Sequence, residues 1–227
     1  MMKTTRHPFL SCLATVILCA AGGLGGCAAP GKAAPSRDTL REGLPKGTQP
    51  DFPPVSYAAE TMPAMDLVRR IGEEVGGGLV LVNGWEEHSV PGFSLKNASY
   101  GELADTVAGA VQCETFPLPH AWVILPADYA PLLKTDLSDA LPPETAALTG
   151  TAAFGGKTPM YSVLSVLSHT FGVTLLADNQ LSETRCGEFF LGPAPLAEIL
   201  EAAWISARVP PEACTVETVG GAVFFRS

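Results

Sequence analysis

Six cysteines and four histidines are the residues of this 227-residue chain best able to do chemistry, and their spacing restricts which chemistry that is. His7 falls in the opening stretch, leaving His88, His120 and His169. No HExxH, CxxC or GxSxG run occurs, and Gly155-Gly156-Lys157 is too short to cradle a phosphate. Glu86-Glu87-His88 carries metal-ligating atoms, but two acids and a histidine in a turn read as a solvated loop, and no metal site is assigned. His120 reads as a hairpin-turn residue. Ser168-His169 ends a helix, where an imidazole suits the negative end of the helix dipole. These residues predict no catalytic set, no cofactor and no small-molecule substrate. The chain reads as a binding protein, not an enzyme.

Cys27 is the exception. Lys3 and Arg6 precede an apolar run from Phe9 to Ala21 that is too short for a membrane span. The run ends in Leu24-Gly25-Gly26-Cys27, whose small residues lie extended easily in a peptidase cleft. The stretch resembles the bacterial lipobox. That resemblance implies a lipoprotein signal peptide over 1–26, cleavage between Gly26 and Cys27, and acylation of the Cys27 thiol. Ala28, where an aspartate would retain the protein, implies delivery to the outer membrane with the domains facing the periplasm. More than one acyl chain is needed for stable anchoring. Three cysteines follow, and export permits a disulfide among them. Cys186 and Cys214 fall in the same half and are the candidate pair; the alternative is three buried thiols. Cys113 is expected to be unpaired.

The elements that position these residues are written twice. PAMDLVRRIGEEVGGGLVLVN returns as TPMYSVLSVLSHTFGVTLLAD, with Met65 over Met160 and Gly77 over Gly172, a spacing of 95. Glu102 over Glu198 gives 96, and Cys113 over Cys214 gives 101. Such drift is expected in loops between two copies of one unit. Residues 27–54 hold glycine and proline every few positions and read as a flexible tether. Module one, 55–127, has an amphipathic helix after Pro63, an apolar strand at Leu79–Val82, and a Ser99-x-x-Glu102 capping box opening a second helix. Residues 128–150 read as a linker, and 151–227 as module two. The predicted fold class is α+β: two tandem β-α-β-β-α-β-β modules, each with two helices on small sheets, folding separately.

With 47% hydrophobic residues the chain can fill packed cores, and its net charge of −9 repels phosphate backbones, so no nucleic-acid partner is expected. The helix ending in glycine, the Leu-Val-Leu-Val strand, the Phe93-x-Leu95 strand and Asn97-Ala98-Ser99-x-x-Glu102-Leu103 together resemble the secretin and TonB short N-terminal (STN) domain. The resemblance covers about 70 residues twice over, though no long pore-forming β domain follows. It implies a lipid-anchored periplasmic adaptor docking a secretin, secretion or pilus assembly. The alternative it leaves open is a sensory module relaying a signal to a membrane regulator. Binding is expected at an exposed strand or helix, because a small sheet has edges that accept a partner's strand.

Overall fold

The computed structural model describes residues 50–134 and 137–227; the expected signal peptide, Gly26, Cys27 and the expected tether up to residue 49 lie outside them. The first half runs β1 (Val55–Ala59), β2 (Met62–Pro63), α1 (Ala64–Val75), β3 (Gly78–Leu81), β4 (Ser89–Val90), β5 (Phe93–Ala98), α2 (Tyr100–Ala110), β6 (Glu114–Leu118) and β7 (Ala121–Leu125). A 3-10 segment (Ala127–Lys134) and a short α3 (Pro143–Ala146) lead to the second half. That half comprises β8 (Thr149–Phe154), α4 (Met160–Phe171), β9 (Thr174–Ala177), α5 (Asn179–Ser182), β10 (Phe189–Pro195), α6 (Leu196–Ser206), β11 (Thr215–Val219) and β12 (Ala222–Arg226). The fold class is α+β, and without the two-residue strands and the short α5 the element order is the same in both halves.

The pairing repeats as well. β1 pairs antiparallel with β5, and β8 with β10. β7 lies parallel to β3 and antiparallel to β6; β12 lies parallel to β9 and antiparallel to β11. The halves part company at one place: β10 also pairs antiparallel with β3, placing Phe189 opposite Val80 and Phe190 opposite Leu79. This joins both halves in a five-stranded sheet of order β6-β7-β3-β10-β8. The expectation of separate modules with their own small sheets is therefore corrected, because the middle sheet belongs to both.

Burial alternates across that sheet. Leu79, Leu81, Trp122 and Ile124 enter a first core with α1 and α2, beneath Val55 and Tyr57 of β1. Val80, Val82, Val123 and Leu125 enter a second core with α4, α6, Phe189 and Phe225. A strand covered on both faces needs apolar residues at every position, which is why Leu79–Val82 and Ala121–Leu125 are continuous apolar runs. The expected linker is packed too, since Leu132, Leu133, Leu137 and Leu141 are buried. So is the end of the tether, where the Phe52 ring lies 4.6 Å from that of Tyr100.

Helix ends fix the register of the repeat. α1 and α4 each have 12 residues and stop at left-handed glycines, Gly76 (φ 78) and Gly172 (φ 67). Glycine adopts that conformation without steric cost, so it terminates a helix where other residues resist. The opening spacing is thus 96, not 95: buried Ile71 matches buried Leu167, and exposed Val166 matches exposed Arg70. The helices α2 and α6 keep 96, each with 11 residues. The step to 101 comes from the longer loop before β11, which holds a 3-10 turn at Pro211–Ala213.

Candidate interaction surface

Polar contacts seal the junction between the halves. Glu188, whose side chain is 3% exposed, accepts from Arg69 Nε at 3.1 Å and from the Gly156 amide at 2.6 Å. Its carbonyl accepts from the Leu81 amide at 2.8 Å. Lys157 Nζ lies 2.6 Å from Glu87, raising the lysine's affinity for its proton and lowering that of the carboxylate. Two backbones meet closely here. A Cβ on Gly187 would sit 1.9 Å from the Leu81 oxygen, and one on Gly72 would sit 2.4 Å from Phe190 Cγ. Glycine at both positions lets β10 lie against β3 and α1.

The residues singled out in the sequence are spread through this framework. Glu87 and His88 of the acidic turn are exposed, Glu87 meeting Lys157 and the His88 ring stacking beside Trp85, whereas Glu86 is buried and accepts from the Gly84 amide at 2.7 Å. No group of three metal-ligating side chains is found among the described residues. His120 does sit in the β6–β7 hairpin turn, but its Nδ1 and its amide both meet Glu198, at 2.6 and 2.7 Å. His169 lies in the last turn of α4.

The thiols Cys113, Cys186 and Cys214 are all free. Cys186 and Cys214 are not bonded to one another. Cys186 Sγ faces the Ala203 carbonyl, and Cys214 Sγ accepts from Trp204 Nε1 at 3.0 Å. Burial pushes the Cys113 and Cys186 thiols up to about 12, which makes them poor nucleophiles. Among the described residues no helix is long and apolar enough to cross a membrane.

What stands out on the surface is on the second half. A groove of about 360 Å3 lies between α4 and β9, lined by Tyr161, Leu164, Ser165, Ser168, Leu175 and Leu176 among others, none of them charged. Tyr161 is 61% exposed, Val166 51% and Leu176 47%, so three of the most exposed large apolar side chains belong to these two elements. The outer edge of β9 has no neighbouring strand among the described residues, since its sheet runs β11-β12-β9. An uncharged groove with exposed Tyr161 and Leu176 beside an open sheet edge suits a protein contact. Of the large apolar residues Tyr161, Leu164 and Trp204, which the sequence leaves as either core or contact patch, Leu164 and Trp204 are buried and Tyr161 is exposed.

Comparison with family models, with curated proteins and with solved structures gives no match for this chain.

Proposed function

We propose that this chain is a lipid-anchored periplasmic adaptor, held by acylated Cys27 at the outer membrane, that binds a protein of an envelope assembly. One observation carries the binding half of that reading: the uncharged groove between α4 and β9, with Tyr161 and Leu176 exposed beside an unpaired strand edge. The resemblance to the STN domain and the lipobox at Leu24–Cys27 supply the compartment and the kind of assembly.

Two measurements test the halves of this proposal separately. Replacing Cys27 by Ser should abolish incorporation of labelled palmitate and release the protein from membranes; continued labelling would show that the cysteine is not the acylated residue. A photo-crosslinking residue placed at Tyr161 or Leu176 should give a discrete adduct in intact envelopes, and one at Glu73, on the exposed side of α1, should not. Equal labelling from all three positions would remove the groove from consideration.

A further inference from the structure

We propose that the groove and the outer edge of β9 seat a single extended strand of a partner protein, antiparallel to β9, uncharged, and with a small side chain opposite Leu175. This rests on the adaptor reading and specifies the chemistry of what binds.

The repeat shows what such a site holds. At a spacing of 96, Tyr161, Leu164, Ser165 and Ser168 match Met65, Val68, Arg69 and Gly72, and Leu175–Ala177 match Leu79–Leu81. In the first half that position is filled by β10. Phe190 pairs with Leu79 and rests on Gly72, Phe189 pairs with Val80, and Glu188 bonds Arg69 while its carbonyl takes the Leu81 amide. In the second half no strand among the described residues lies there. Among those residues the same seat is built twice and filled once.

The differences between the two seats define the occupant. Ser168 stands where Gly72 allows Phe190 to approach, so a large ring is excluded at that point and a small side chain fits. Ser165 replaces Arg69, leaving no cation for an acid such as Glu188. Tyr161 and Leu176 make the remaining walls apolar. The Leu175 amide meanwhile donates to Ser168 Oγ at 2.9 Å. This hydroxyl, which also donates to the Leu175 carbonyl at 3.5 Å, occupies the edge groups of Leu175 while the seat is empty, and the carbonyl and amide of an incoming strand replace it. A blunted edge of this kind resists indiscriminate pairing yet stays open to a strand that also fills the groove.

A second copy presenting β5 as this chain presents β10 is barred. Pro91 occupies the position of Gly187, where even a Cβ would come within 1.9 Å of the facing carbonyl oxygen. The occupant we propose is accordingly not β5 of a second copy but a strand of a partner protein.

The test uses the full mature protein in detergent and fluorescein-labelled peptides of residues 187–195, followed by anisotropy. The peptide with Glu188→Ser and Phe190→Ala should bind saturably, and the unaltered peptide about tenfold more weakly, a difference of about 1.4 kcal/mol. Ser168→Gly should restore binding of the peptide that keeps Phe190 while carrying Glu188→Ser. Tyr161→Glu or Leu176→Lys should abolish binding with an unchanged unfolding midpoint. The proposal is overturned if neither the wild type nor Ser168→Gly binds any of these peptides, if Tyr161→Glu leaves binding intact, or if the protein forms oligomers that Leu176→Lys dissolves. Failed peptide binding alongside specific crosslinks at Tyr161 would sink the strand and leave the adaptor reading standing; absence of those crosslinks would count against the adaptor reading itself.

Discussion

At the scale of single residues, the same position in the repeat does different work in each half. Glu102 closes a capping box, accepting from the Ser99 amide at 2.7 Å while its own amide donates to Ser99 Oγ at 3.2 Å. Its counterpart Glu198 follows Pro195, which has neither a hydroxyl nor an amide hydrogen to offer. The freed carboxylate therefore reaches His120 in the other half. The capping box was legible in Ser99-x-x-Glu102, but the reach of Glu198 was not, because a contact 78 positions away leaves no local pattern. Asp178 gives a prediction at this scale. Hydrogen bonds from the Leu181 amide and from the Ser227 amide and hydroxyl lower its carboxyl from 3.8 to about 2. A depressed folded value means that the stabilisation is present above the unfolded value and lost as pH falls through the folded one. The unfolding midpoint should therefore decline between about pH 4 and pH 2. Asp178→Asn should flatten that part of the acid limb, and an unchanged slope would show that the C-terminal clamp contributes nothing.

Among the elements, glycines separate close approach from open space. Gly187→Ala places a methyl against the Leu81 carbonyl, a backbone atom that cannot turn aside, and should cost about 3 kcal/mol by forcing β10 off β3. Gly109, in α2, meets nothing within 4 Å, and Ala there should stabilise by up to about 1 kcal/mol because glycine is a poor helix former. Chemical denaturation of both variants checks the pair, and a sign reversed at either site would contradict the assigned packing. The helices and most strands were legible from periodicity, glycine caps and the capping box. Their register was not. The Gly76-Gly77-Gly78 run offers three candidate caps, and matching Met65 to Met160 favours the wrong one; the left-handed conformation at Gly76 decides it. That one-residue slip also hid the candidate site, since it matched Arg69 to Leu164 and not to Ser165, so Ser168 could not be seen as the counterpart of Gly72.

For the whole molecule, the question is whether two repeated halves behave as one body. The element order of each half was legible from the repeat itself, whereas the β3–β10 pair was not, because a pairing between strands of different halves leaves no local pattern. The apolar character of Leu79–Val82 marked a central strand without saying which half would cover its second face. That covering decides the thermodynamics. Residues 52–127 alone would expose Val80, Val82, Phe116, Val123 and Leu125 to water, and 148–227 would lose the partner of Phe189. Large-to-small changes at such buried sites cost several kcal/mol each, and a domain has only about 5–15 kcal/mol in hand. Neither piece should fold on its own, and mixing the two should restore the near-ultraviolet dichroism that each lacks. The intact chain should melt as a unit. Trp122 lies in the first core and Trp204 in the second, with Trp85 packed against both, so single-tryptophan variants report each core separately. With Trp85→Phe as background, Trp122→Phe and Trp204→Phe should give urea transitions with the same slope, displaced only by the stability each substitution removes. Two well-separated transitions, or two shallow slopes each matching half the chain, would mean that the shared sheet does not couple the halves, and the seat filled by β10 would then be as open to a partner as the one beside β9.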